Sequence, residues 1–463
     1  MSVHAAPETA RSEADDATRG SAVKLAAELL SRLLGLGTTL VLARGLGVAD
    51  FGAFGRLSVF ALLLAELGEF GLQATASRAL VAGTHGLRSL ARARLLTSGL
   101  VAAAALAALP MAPVLAPLVL FFLLAGWGEF LGVALRCRAA RRQEALVLVC
   151  LRAGSLALAA LALAAGADLR GLAWSQALSP LPALLLGTWL LRGRPGPPAA
   201  EAGLVAVLRE AAPLAANGGL LMLSPRVEFL VLSTLAGDRE TGLFLAALRV
   251  VEFLSMVPSA VTAGAMPALT REAMRGEGPV RRRTAASVAL LAAPTAVGVA
   301  LVAPELVRVL FGVTYAASAL PLRILGAALV PLFMNSLLAS ALIAAGRGEW
   351  LPRLTGARVA GAFVLAFALV PPLGAPGAAL GFLGSETLLF LLGARAVASG
   401  GFAVPVLRPV LWAVIATVPM ASAVWGAPAG LPGSVAIGVI TYAATLAAAW
   451  RLLPRLAREL VGG

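Results

Sequence analysis

Apolar residues come in runs of about 20, and polar residues are confined to the gaps between them. A run of that length crosses a bilayer as a helix. About 14 such spans can be marked, with cores at 24–44, 53–77, 94–110, 115–135, 145–165, 172–191, 211–235, 242–267, 284–303, 318–345, 357–371, 376–395, 407–425 and 434–450. The third and eleventh are short for a crossing. Pro180, Pro182, Pro225, Pro258, Pro294, Pro321 and Pro331 fall inside spans, where a missing backbone donor predicts a bend. Residues 1–22 are polar and small, and read as a disordered cytoplasmic tail. No cleavable signal pattern precedes span 1, which then serves as the insertion signal.

Arginine fills every second gap. Arg78, Arg88, Arg92 and Arg94, then Arg136, Arg138, Arg141 and Arg142, then Arg192, Arg194 and Arg209, then Arg271, Arg275, Arg281, Arg282 and Arg283 follow even-numbered spans. The other gaps hold Arg170, Arg239 and Arg308, with Arg44 and Arg56 at the lips of the first, or uncharged strings such as PPLGAPG. Basic loops stay on the cytoplasmic side. Both termini are therefore expected in the cytoplasm and the chain in the cell (inner) membrane.

Composition agrees. The chain is 60% hydrophobic and 13% charged, against about 25% charged in a soluble domain. A net charge of +14 would hint at nucleic acid in a soluble protein, but these arginines sit in short connections and aromatics are only 6%, so no nucleic-acid partner is expected. The two cysteines, Cys137 and Cys150, and the two histidines, His4 and His85, lack metal-site spacing. There is no HExxH, GxSxG, CxxC or phosphate-cradling P-loop, and no external connection is long enough to build a catalytic domain. The reading is a non-enzyme with no cofactor and no metal.

The longest connection, RGRPGPPAAEAG near the middle of the chain, reads as a linker over 193–210. It divides two similar halves. Gly47, Gly52 and Phe54 after span 1 repeat the spacing of Gly237, Gly242 and Phe244 after span 7. Arg141, Arg152 and Gly171 repeat the spacing of Arg347, Arg358 and Gly377. The expected fold is an all-α polytopic membrane protein: a six-helix lobe at 23–192, a second at 211–396, and two extra helices with a cytoplasmic tail at 397–463. Six helices per lobe is an even number, so the lobes are related by a parallel pseudo-two-fold repeat about the membrane normal. Gly52 and Gly242 are expected in tight turns.

Ionisable groups inside spans are costly and mark function by default. Those singled out are Glu28 and Arg32 in span 1, Glu66 and Glu69 in span 2, Glu129 in span 4, Asn217, Arg226 and Glu228 in span 7, Arg249 and Glu252 in span 8, Arg323 in span 10 and Glu386 in span 12. Glu28 with Arg32, and Arg249 with Glu252, are one helical turn apart and can pair within their helix. Arg226 and Glu228 stand about 200° apart on a helix and cannot face one cavity. Arg226 follows Pro225, so a buried cation beside a kink marks a moving, wet pathway. Arg152 and Arg358 are read as snorkelling to the cytoplasmic surface.

The string ARGLGVADFGAFGRL resembles the oligosaccharide (O-antigen or polysaccharide) flippases of the multidrug/oligosaccharidyl-lipid/polysaccharide exporter superfamily, through Ala43, Arg44, Leu46, Gly47, Phe51, Gly52 and Phe54. EFGLQATASRAL and PRVEFLVLSTLAGDRETGLFLAALRVVEF fit as well, with Glu228 where the family usually has Asp. The resemblance implies two six-helix lobes forming a V around a central cavity. It also implies flipping of an isoprenoid pyrophosphate-linked oligosaccharide to the outer leaflet by alternating access, for surface polysaccharide such as lipopolysaccharide. Cations in the cavity would hold the substrate: Arg226, Arg249 and Arg32, with Asn217. Glu252, Glu228, Glu66 and Glu69 would couple H+ or Na+ or act as counter-ions. Arg44 would brace the outer turn. Expected partners are the lipid-linked oligosaccharide and membrane lipids. The competing readings are a lipid II flippase, a drug/cation antiporter of the same superfamily, and a non-transporting membrane scaffold.

Overall fold

The computed structural model describes residues 6–138, 140–192, 201, 203–275, 278–426 and 430–452. Every regular element among them is helical. Thirteen helices or helix pairs are long and apolar enough to cross a membrane, and the chain is a multi-pass membrane protein. The expected sixth span is not among them; it forms two short helices, α7 (Leu169–Leu178) and α8 (Leu181–Leu191), broken at Ser179–Pro180. Gly154 lies against that break, where a Cβ would come within 2.7 Å of the Ser179 carbonyl oxygen.

The chain divides into two compact units. The first holds most of α1 (Ala6–Leu46), the greater part of α2 (Val48–Glu69), and α3 (Leu72–Ala82), α4 (Leu87–Ala107), α5 (Leu115–Arg136) and α6 (Arg141–Ala164). It also holds α7, α8 and nearly all of α9 (Leu204–Leu223). α5 is its hub, packing against α3, α4, α6, α7 and α8, with Leu118, Phe130 and Leu135 fully buried. α1 takes in residues 6–22, expected as a disordered tail. That stretch holds five alanines, and extending an existing helix costs little once it is nucleated. α4 and α15 (Trp350–Leu373), the spans that looked short, gain their length from arginine-bearing N-terminal ends that hydropathy leaves out.

The second unit holds α10 (Val227–Leu235), α11 (Gly237–Leu254), α12 (Met256–Arg275), α13 (Val280–Phe311) and α14 (Ala319–Ala344). It continues with α15, α16 (Ala375–Ser399), α17 (Leu407–Gly426) and α18 (Gly430–Leu452). Its hub is α14, packed on α13, α16, α12 and α11 through Phe333, Met334 and Leu337. α5 and α14 are each the fourth span of their half of the sequence.

The division does not follow the linker. It falls at Met222/Leu223, so α9 belongs with the first unit although 193–210 was expected to separate the lobes. α9 begins at Leu204, and within the first unit its Glu210 pairs with His85 at 2.7 Å. Residues 193–200 and 202 lie outside the described residues. The seventh span breaks as Pro225 demands, in a 3-10 turn at Ser224–Arg226.

Leu46–Arg56 groups with the second unit. Sequence reading places Gly52 and Gly242 in tight turns. The turn glycines are instead Gly47 (φ 77°) and Gly237 (φ 79°), while Gly52 and Gly242 lie inside α2 and α11, where the two helices touch. A Cβ on Gly52 would overlap the Asp238 carbonyl oxygen, and one on Gly242 would overlap that of Val48. Each glycine meets the residue that follows the other's turn glycine. Arg56 closes on Asp238 at 3.0 Å across the same crossing.

Candidate functional site

The intramembrane charges sort into intrahelical pairs and interhelical clusters. Arg32 reaches Glu28 at 3.1 Å, with side chains 45% and 54% exposed. Arg249 reaches Glu252 at 2.7 Å, 39% and 42% exposed. Both are intrahelical, as their one-turn spacing predicts. An ion pair this open within a span faces water, since lipid tails would leave both charges unsolvated. Arg249 Nε is enclosed without an acceptor. Arg226 ends the 3-10 turn half-buried, and Asn217 is exposed on α9. The next residue, Gly218, sits beside Glu66, whose Oε1 would be 3.2 Å from an added Cβ.

The first cluster, partly open, lies in the first unit. Arg94 on α4 is buried, with its guanidinium over the rings of Trp127 and Phe130 at 5.6 and 5.2 Å. It reaches Glu69 at 3.5 Å, and Glu66 and Glu129 contribute to the field it feels. Arg152 on α6 reaches Glu129 at 4.0 Å, and both are well exposed. Glu69, expected to couple an ion or act as a counter-ion, accepts the backbone N–H groups of Gly71 and Gln73 at the start of α3.

The second cluster was not legible in the sequence. Arg358, read as a snorkelling residue, is among the most deeply buried side chains. Its Nε donates to Glu386 at 2.7 Å, Nη2 lies 3.5 Å from Glu228, and Nη1 donates to the Ser224 carbonyl and hydroxyl. Ser385 donates to Glu228 at 2.7 Å and Asn335 to Glu386 at 2.8 Å. Glu228, Glu386 and Arg358 have side chains at most 6% exposed. Arg358 cannot snorkel because α10, α15 and α16 pack together around it. The signal available in sequence was Glu386, a mid-span acid that needs a cation.

No group of three or more metal-ligating side chains occurs among the described residues. Cys137, in the turn after α5, is a free thiol that burial pushes up from its ordinary range, which makes it a poor nucleophile.

Comparison with known proteins bears on this arrangement. The fold resembles the lipid II flippase MurJ in an inward closed conformation, with a TM-score of 0.73 and 12% identity over 93% of this chain and 99% of that one. It resembles a multidrug-resistance MATE family transporter of the MOP superfamily facing inward, with a TM-score of 0.63 and 17% identity over 82% and 98%. An outward-facing MATE transporter scores 0.56, at 18% identity over 83% and 95%. No curated protein matches the sequence itself. A family model described as polysaccharide biosynthesis protein matches residues 17–273, more than half the chain, and the protein belongs to that family.

Proposed function

We propose that this protein flips an isoprenoid pyrophosphate-linked oligosaccharide from the cytoplasmic to the outer leaflet of the inner membrane, by alternating access. It performs no chemical step. The observation that carries the proposal is the pair of open guanidinium groups within spans, Arg32 and Arg249. A cation inside a span is expensive unless it meets water or an anion. A guanidinium also presents a permanent, forked donor set to phosphate. Family membership supports a glycan cargo. Arg226 and Asn217 are further candidates to contact sugar and phosphate.

Of the four carboxylates considered for ion coupling, Glu66 and Glu252 stay reachable and are our candidates for H+ or Na+. Glu69 and Glu228 are spent on helix contacts. Alternating arginine supports cytoplasmic termini. A lipid II flippase is the second reading, favoured by the extent of the likeness to MurJ. Both cargoes share the pyrophosphate, so the test must identify the sugar. In a deletion strain, mass spectrometry of lipid-linked intermediates should show a surface-polysaccharide repeat unit accumulating. Accumulated lipid II would select the second reading, and no accumulated lipid-linked sugar would overturn both.

A further inference from the structure

The second span breaks where its sequence carries no proline. α2 stops at Glu69 and α3 starts at Leu72, and the linking residues Phe70 (φ 51°) and Gly71 (φ 70°) are both left-handed. Glycine adopts that conformation freely. Phe70 does not: it is the one non-glycine residue with positive φ among the described residues, and a bulky side chain there stores strain that the surroundings must hold.

Three contacts hold it. The Glu69 carboxylate accepts the N–H of Gly71 at 2.7 Å and that of Gln73, two donors that the first turn of α3 leaves open. Its charge also suits a helix N-terminus. Arg94 on α4 lies 3.5 Å from the same carboxylate, within reach of the fields of Glu66 on α2 and Glu129 on α5. On the other side, α9 closes on Gly71, where a Cβ would come within 2.5 Å of Ala215 N and 2.8 Å of the Ala211 carbonyl oxygen. The Phe70 ring packs on the buried cluster around Leu72 and Phe130.

We propose that Phe70–Gly71 is a hinge inside the second span, locked bent by the Glu69 carboxylate and driven toward straight by the strain at Phe70. The inference concerns the motion of this span and does not depend on the cargo. Neutralising Glu69 removes the ion pair and one of the two capping acceptors. α2 would then be free to re-aim, and its first turns, up to Arg56, belong to the second unit.

The test is a distance measured on the full chain. Cys137 and Cys150 are replaced by alanine, and spin labels are placed at Leu67→Cys and Val81→Cys, exposed positions on α2 and α3. A straight helix would separate the two Cα atoms by about 21 Å, and the bend shortens this. Electron–electron double resonance should give one short distance for the otherwise unmutated chain. Glu69→Gln should add a longer population near the straight-helix value, and Glu69→Gln with Phe70→Gly should shrink it, because glycine carries the bend unstrained. A Glu69→Gln distribution identical to the unmutated one overturns the lock. A longer population undiminished by Phe70→Gly overturns the strain. If Glu69→Gln does not fold, Arg94→Gln keeps both capping bonds and removes the cation. It should give a smaller longer-distance population, and an unchanged distribution would overturn the proposal.

Discussion

The first unit gathers Glu66, Glu69 and Glu129 around Arg94 and Arg152, and the second gathers Glu228 and Glu386 around Arg358. Each set has one carboxylate more than it has guanidinium groups, yet they are built oppositely. In the second unit every member is buried, and the arginine spends its donors on α10, α16 and the turn at Ser224. In the first, Arg94 is sealed under two aromatic rings while Arg152 and Glu129 stay open at 4.0 Å. Arg152 and Arg358 stand at the same spacing after Arg141 and Arg347, so the contrast separates context from residue type. The same guanidinium is glue where neighbouring helices close over it, and a reachable charge where they do not.

The sharpest way to break this comparison is Arg358→Met. Removing one member of a buried ion pair strands its partners, at a cost of about 3–5 kcal/mol, and here two carboxylates are stranded. Thermal unfolding in detergent should show the largest loss of any single intramembrane charge substitution. Arg358→Lys should recover only part of it, because an ammonium cannot reproduce the fork to Glu386, Ser224 and Glu228. Arg94→Met comes next. It loses a charged hydrogen bond, worth about 1.5–3 kcal/mol, but leaves Glu69 its two backbone donors. The smallest effect belongs to Arg152→Ala, an open pair worth less than about 1 kcal/mol. If Arg152→Ala destabilises as much as Arg358→Met, the distinction between glue and reachable charge is wrong.

The spans were legible because lipid imposes a length on them, and proline announced the breaks at Pro180 and Pro225. The Phe70–Gly71 break was not, since EFGLQ reads as continuous helix and the bend is made by contacts with α4 and α9. Pairs one turn apart, Arg32 with Glu28 and Arg249 with Glu252, could be read from spacing alone. Arg358 could not, because its carboxylate partners lie 28 and 130 residues away. From sequence, an arginine near the end of a span looks the same whether it snorkels or is sealed. Glu69 and Glu228 were rightly picked out as intramembrane acids, but only their partners show that they hold helices together. Gly52 and Gly242 were visible as a repeat, whereas their part in a helix crossing appears only in three dimensions.

The account rests on the open arginines meeting an anionic headgroup, and the most direct measurement is export by the Arg32→Ala/Arg249→Ala double variant in a deletion strain. Both pairs are exposed, so the variant should insert, fold and melt close to the unmutated protein while surface polysaccharide disappears. Full restoration of surface polysaccharide by that variant would contradict the account.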